Sequence, residues 1–333
     1  MRKNILVLGA SGFVGNSVIQ ELTKKGYKIH CFVRETSDLS YLKKINPDLK
    51  YHFGDILDKK TLIEPMKKCG LIINCAGLNS FWEPKNRRYS DINIKGTINI
   101  MDTAAAVNVE KIIHISTIMA YGFQNDVPFN EKSKPGPHMS KYARTKYLGD
   151  SYAWQLYKDK HLPLVTVYLA AVLGSGDPKD VMKIGMFLDK KVNIMLNSDN
   201  QFTYVYNKDA AEAIVKASEK ENNIGEIYLI GNQRLTTGEY IEIISSISGV
   251  PAPQKTIGKK IILFLAILNS LVSKITKKPP LLPFDLMRTQ FRGSLLFDAS
   301  KSEEELDMKY TSIAVALEEE INFIKANMGN RDK

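Results

Sequence analysis

Cysteine is scarce in this chain: three in 333 residues, Cys31, Cys69 and Cys75, with no CxxC pair. So sparse and odd a count gives no disulfide framework. The five histidines, at 30, 52, 114, 138 and 161, do not cluster, so no metal site is expected and a reducing compartment fits. Long apolar runs are missing as well. The nearly all-apolar stretch 261–272 has 12 residues, and a bilayer span needs about 20. The apolar run at 5–8 is too short for a signal-peptide core, so the expected location is the cytoplasm. No internal repeat, low-complexity segment or nucleic-acid-binding module is visible, and nucleic acid is not an expected partner.

What is present is a globular balance: 44% hydrophobic and 25% charged residues, enough for a substantial core. Lys and Arg number 46 against 36 Asp and Glu, a net charge of +10. That surplus favours anionic partners: nucleotide cofactors, acyl-CoA or sugar-nucleotide substrates, or an acidic membrane face. Short apolar runs at 4–8, 28–33, 49–53, 71–75, 111–116 and 164–169 alternate with amphipathic stretches such as 14–25 and 92–107. This alternation predicts an α/β fold, a doubly wound parallel sheet of the Rossmann type with helices on both faces. After about residue 165 the rhythm loosens, which suggests a dinucleotide-binding domain over 1–165. A smaller substrate-binding region over 166–333 would be partly interleaved with it.

The glycines of Gly9-Ala10-Ser11-Gly12-Phe13-Val14-Gly15 fall between the first expected strand and helix with the spacing GxxGxxG. Glycine there permits a tight turn and close approach of backbone to a pyrophosphate, and the helix N-terminus favours the phosphate charge. Gly9, Ser11, Gly12, Phe13, Val14 and Gly15 are therefore candidate cofactor ligands. Arg34 directly follows the second strand and is placed to pair with a ribose 2′-phosphate. NADP(H) is favoured on that ground, and Glu35 beside it keeps NAD(H) open. Gly54-Asp55 follows the third strand. Asp55 there could accept from an adenine amino group or serve as an ordinary helix cap, together with Asp58.

Tyr142 and Lys146 stand at i and i+4, on one face of an expected helix. A phenol with a pKa of about 10 is a poor acid or base at neutral pH, and an ammonium one turn away would lower it. The strand at 111–116 closes on Ser116 and Thr117, at the carboxyl edge where doubly wound sheets bind ligands.

Taken together, GASGFVG, Gly54-Asp55, Asn74-Cys75-Ala76-Gly77, Asn93 with Lys95-Gly96-Thr97, Ser116-Thr117 with Tyr121-Gly122, and YARTK resemble the extended short-chain dehydrogenase/reductase family, the NAD-dependent epimerase/dehydratase superfamily. Later segments, Tyr204 to Ala210, Ile227-Tyr228 and Phe297 to Lys301, extend the resemblance over nearly the whole chain. Residues 76–82 and 277–298 look most like the dihydroflavonol-reductase-like and hopanoid-associated branch.

The resemblance implies Tyr142 as general acid/base, Lys146 lowering its pKa and holding the nicotinamide ribose, and Thr117 positioning the carbonyl or hydroxyl, with Ser116 the weaker candidate. It implies Asp55 and Ile56 at the adenine, Ala76 and Gly77 along the cofactor cleft, and Asn93 as a brace. It also implies a homodimer paired through 92–107 and 142–157. Two departures matter. The Arg-Pro usual after the sixth strand is absent from Tyr168-Leu169-Ala170-Ala171-Val172, and Ile118 stands where a dehydratase usually carries an acid after Thr117.

The expected activity is NAD(P)-dependent hydride transfer to a carbonyl or from a secondary alcohol. Phe81, Trp82, Met119 and Phe123 are candidate substrate contacts, and their apolar character suggests a bulky sterol, isoprenoid, flavonoid-like or acyl ketone. The competing readings are a nucleotide-sugar epimerase or dehydratase with tightly bound NAD, and a non-catalytic NAD(P)-sensing protein. The stretch 261–272, with Lys259 and Lys260 before it and Lys274, Lys277 and Lys278 after it, is either a helix packed on the core or an interfacial helix touching membrane or lipid.

Overall fold

A computed structural model describes residues 4–125, 127–196 and 199–328. The first half runs β1 (Asn4–Leu8), α1 (Phe13–Lys24), β2 (Lys28–Val33), α2 (Ser40–Ile45), β3 (Lys50–Phe53), α3 (Lys59–Lys67), β4 (Leu71–Asn74), α4 (Arg87–Ser90), a π-helical turn (Asp91–Gly96), α5 (Thr97–Ala106), β5 (Lys111–Thr117) and α6 (Lys141–Lys160). Then follow β6 (Leu164–Leu169), β7 (Ala171–Leu173), α7 (Pro178–Leu188), β8 (Ile194–Leu196), β9 (Gln201–Tyr206), α8 (Asn207–Glu219), β10 (Ile227–Ile230), β11 (Gln233–Thr236) and α9 (Thr237–Ser248). The chain closes with β12 (Lys255–Ile257), α10 (Lys259–Thr276), α11 (Phe284–Gln290), α12 (Ser300–Glu305) and α13 (Ile313–Met328).

Seven strands form one sheet in the order β10-β6-β5-β4-β1-β2-β3, and every pairing in it is parallel. Parallel strands covered on both faces must be apolar throughout. Ile5, Leu6, Val7 and Leu8 of β1 are accordingly buried without exception. Helices α1 and α8 cover one face, with Val18, Leu22 and Ile214 in its core. Helices α3, α5 and α6 cover the other, with Leu62, Ile100 and Leu156. This is the Rossmann-type fold. Strand order reverses between β1 and β4, which opens a crevice at their carboxyl ends where such sheets bind ligands.

Strand β10 and helix α8 come from the second half of the chain, yet they complete the first sheet and pack on α1. The remaining elements build a smaller region around the sheet β11-β9-β7 and the pair β12-β8. Helices α7, α9 and α13 pack there on Leu173, Phe187, Ile244 and Leu317.

That region holds a buried carboxyl, Glu320 on α13. Burial pushes its pKa up to about 8, with Asp180 and Asp177 pushing the same way, while the Gly174 backbone and Lys183 pull back. The unfolded chain gives up this proton near pH 4.3 and the folded chain only near 8. Wild-type stability from this group is therefore full at low pH and is lost as pH rises through that window. Glu320→Gln does not titrate. Denaturant unfolding at a series of pH values is expected to show the variant gaining on wild type from about pH 5 to pH 8, by on the order of a few kcal/mol, and holding level above.

Candidate active site

The loop after β1 has no room for a side chain at Gly9 or Gly15. Gly9 has φ +72°, and a Cβ on it would lie 2.9 Å from the Ala76 backbone. A Cβ on Gly15 would lie 2.2 Å from the Gly9 carbonyl oxygen, so helix and strand touch through bare backbone. Gly12 is the N-cap of α1, and no side chain caps that helix. The leading N–H groups, from Phe13 onward, are left to a ligand. Ser11 is half-buried beside them. The residues present thus fit a pyrophosphate lying against the helix N-terminus.

Arg34 follows β2, the strand next to β1, and both it and Glu35 are exposed. The Arg34 N–H donates to Ser37 Oγ at 3.2 Å and the Ser37 N–H to the Arg34 carbonyl at 2.9 Å, a turn that leaves the guanidinium to solvent. Beyond β3, Asp58 caps α3 by accepting from the Lys60 N–H. Asp55 does not cap it. Its Oδ1 accepts from the Leu57 N–H at 2.9 Å within its own loop, and the residue stays exposed. Ile56 is half-buried, its carbonyl accepting from Asn99 and its side chain lying against Gly96.

Ala76 donates its N–H to Asn74 Oδ1 at 3.1 Å. A Cβ on Gly77 would lie 3.9 Å from Lys146 Nζ. The turn after β4 therefore runs between the glycine loop and the α6 side chains. Asn93, buried in the π-helical turn, clamps it: its Oδ1 accepts from the Leu78 N–H at 2.7 Å, and its amide donates to the Leu78 carbonyl at 3.1 Å and to Thr145 Oγ1 at 3.2 Å. Bracing, rather than reacting, is what this geometry provides.

Helix α6 starts at a Ser140 cap, whose Oγ accepts from the Ala143 N–H at 3.1 Å. One turn then brings Tyr142 and Lys146 to the sheet, 8% and 5% exposed. Thr117, last residue of β5, stands by the Tyr142 phenol and pulls its pKa down. Ser116 does not compete for that place, because its hydroxyl donates to Asp150 Oδ2 at 2.6 Å. Phe81 packs edge-on against Tyr142, ring centroids 6.2 Å apart. Met119 is half-buried with its N–H on Thr117 Oγ1 at 3.3 Å. Trp82 is half-buried, whereas Phe123 is buried in the main core.

The electrostatics differ from the sequence expectation in one respect. Lys146 was expected to draw the phenol's pKa down. Instead, burial pushes Tyr142 up to about 12, with Thr117 the only group pulling it back. The Asp150 carboxylate pushes the same way, and Lys146 Nζ donates to the Ile115 carbonyl at 2.9 Å. Burial also lowers the lysine's own pKa. At neutral pH Tyr142 is held as the neutral phenol, a proton donor.

Sequence reasoning missed the polar chain beneath the pair. The Ala76 N–H fixes Asn74 Oδ1, so the Asn74 amide N–H faces His114 Nδ1 at 3.0 Å. His114 Nδ1 must then accept, and Nε2 donates to Asp150 Oδ1 at 2.9 Å. Burial lowers the His114 pKa, which keeps the ring neutral as that tautomer requires. Burial alone would raise Asp150. The hydrogen bonds from His114 and Ser116 and the Lys146 ammonium outweigh it and hold the carboxyl below its ordinary range. Two signals were available: Asp150 lies one turn beyond Lys146 on the same face, and His114 interrupts an apolar strand.

The fold and this crevice define a dinucleotide-binding α/β enzyme. The chain belongs to the NAD dependent epimerase/dehydratase family, which it matches over residues 5–231. It is 24% identical over 328 residues to "Putative dihydroflavonol 4-reductase" of Synechocystis sp., covering 96% of this chain and 94% of that protein. It is 23% identical over 325 residues to sterol demethylase protein B of Methylococcus capsulatus, covering 96% and 98%. The dTDP-glucose 4,6-dehydratase DesIV of Streptomyces venezuelae, solved with NAD and TYD bound, shares the fold with a TM-score of 0.81 at 20% identity, covering 98% of each chain. The protein is thus an enzyme of an NAD-dependent family whose members include reductases, epimerases and dehydratases.

Proposed function

We propose that the protein is a reductase of a bulky apolar carbonyl compound, working reversibly with NADP(H). The observation that carries this reading is the buried Tyr142 phenol, held neutral at the carboxyl edge of β5, between the Thr117 hydroxyl and the Phe81 ring. A bound nicotinamide would supply or accept the hydride. Gly9, Ser11, Gly12, Phe13, Val14 and Gly15 would hold the pyrophosphate, Asp55 and Ile56 the adenine side, and Ala76 and Gly77 the cleft wall. Lys146 would hold the ribose, which requires its Nζ to turn from the Ile115 carbonyl or to be shared with it. Tyr142 and Thr117 would grip the substrate oxygen where negative charge develops, and Tyr142 would give it a proton.

The surroundings favour reduction over dehydration. Ile118, buried after Thr117, can supply no acid or base, and Asp150 is committed to His114 and Ser116. Arg288, a cation that a nucleotide-sugar diphosphate could use, stacks over Phe284 at 5.5 Å. The named activities of the two curated relatives above, a flavonoid-type reductase and a sterol-processing protein, agree with an apolar substrate.

The cofactor choice rests on Arg34. NADPH is expected to raise the unfolding midpoint more than NADH, and Arg34→Ala to erase the difference. A charge-assisted contact of this kind is worth about 1.5–3 kcal/mol, or roughly tenfold or more in the NADPH/NADH affinity ratio. Equal affinities in wild type would return the choice to NAD(H). Oxidation of NADPH at 340 nm against a panel of apolar ketones tests the reaction itself.

A further inference from the structure

Both readings of the stretch 261–272, a helix packed on the core and an interfacial one, bear on how this segment is placed. It is part of α10, which runs on to Lys259–Thr276. One side packs: Ile262 and Ala266 are buried against Met287 and Phe291 of the following segment. The other side does not. Ile261, Phe264, Leu268, Leu271, Val272 and Ile275 are exposed, Phe264 at 60% and Ile275 at 83%. Their spacing of three and four residues makes them one continuous stripe, and Leu281, 70% exposed, follows it just past the helix. An exposed apolar patch of this length marks a docking surface.

Charge says what covers it. Between Glu242 and Asp285 the chain has six lysines, at 255, 259, 260, 274, 277 and 278, and no acidic residue. All six are exposed, and none is paired with a carboxylate among the described residues. A second copy of this chain would bring the same uncompensated lysines against them. No helix among the described residues is long and apolar enough to cross a membrane. A helix with an apolar face and lysines at both ends can lie in the plane of a bilayer, side chains in the acyl boundary and ammonium groups at anionic headgroups.

We infer that α10 docks the enzyme on an anionic lipid bilayer. The docked region is tied to the active site. Helix α11, packed on α10, places Asp285 so that its Oδ2 accepts from the Lys141 N–H at 3.0 Å, one residue before Tyr142. If the substrate is the apolar carbonyl compound proposed above, docking would put its binding site beside the phase in which such a compound dissolves. That last step rests on the proposed function; the docking itself does not.

The test is flotation of the purified full-length protein with vesicles of phosphatidylcholine alone and of phosphatidylcholine mixed with phosphatidylglycerol. Binding is expected to the anionic vesicles, to weaken as salt is raised, and to fall about tenfold or more in Phe264→Glu/Leu271→Glu. Because both side chains are exposed, the variant should keep the wild-type circular dichroism, unfolding midpoint and NADPH binding. Three results would overturn the inference: no flotation with anionic vesicles, equal flotation with neutral ones, or flotation indifferent to the variant. A concentration-dependent dimer abolished by the variant, without vesicle binding, would assign the stripe to a second copy instead. Flotation is read without turnover, so it stands or falls separately from the reductase reading.

Discussion

Tyr142→Phe is expected to lower carbonyl reduction about 10²–10⁴-fold while leaving NADPH affinity within a factor of a few. The substitution removes one oxygen from a side chain that is 8% exposed and keeps the ring that packs against Phe81. What disappears is the phenol that α6 places beside Thr117, and with it the proton for the developing alkoxide. Burial holds the phenol's pKa up at about 12 in the free protein, so the acid keeps its proton and is neutral across the whole physiological range. Steady-state rates at saturating NADPH, with the cofactor dissociation constant measured separately, check the claim. Undiminished turnover in Tyr142→Phe removes the tyrosine from the chemistry.

The second large effect is on folding. Asp150→Ala is expected to cost about 3–5 kcal/mol, the range for breaking a buried charge pair by removing one partner. The alanine strands three groups at once: His114 Nε2–H, the Ser116 hydroxyl and the Lys146 ammonium, all buried. Asp150→Asn separates the parts of that cost. It keeps an acceptor for His114 and removes the charge opposite Lys146, so a smaller loss is expected. Denaturant unfolding of the two variants at neutral pH gives the comparison. Equal stability of Asp150→Ala and wild type would mean that the chain from Ala76 to Asp150 does not hold α6 on the sheet.

Much of the fold was legible because buried parallel strands are written as apolar runs. The strands at 4–8, 28–33 and 164–169 have the bounds that the sequence implies. The glycine loop was legible because its spacing answers a backbone constraint that the Gly9 and Gly15 contacts make explicit. Strand β5 runs one residue further than its apolar run, to Thr117, since a threonine extends as readily as an isoleucine. The short strands β7, β8, β11 and β12 were not legible: three or four residues, partly exposed, leave too little alternation to read. The π-helical turn at 91–96 has the same apolar spacing as the α-helix it continues into.

Site chemistry divides in the same way. Tyr142 and Lys146 announce themselves by helical spacing, but the sign of the phenol's shift depends on how deeply it is buried, and that is set by the packing of α6 on β5. Phe81 and Phe123 are the same residue type in comparable loops. Only the fold puts one against the phenol and the other in the core. Helix α10 extends beyond its apolar run at both ends because lysine stems continue a helical face while their charges reach water.

The central claim is that this crevice passes hydride to an external carbonyl. Its most direct test uses NADPH carrying deuterium at both nicotinamide C4 positions, supplied with an apolar ketone that the 340 nm panel identifies as turned over. Mass spectrometry of the product is expected to show one deuterium on the new carbinol carbon and free NADP⁺ in solution in equal amount. An alcohol without the label, or a protein that oxidises no NADPH with any ketone, keeps its dinucleotide through gel filtration and acts on nucleotide sugars, would contradict the account.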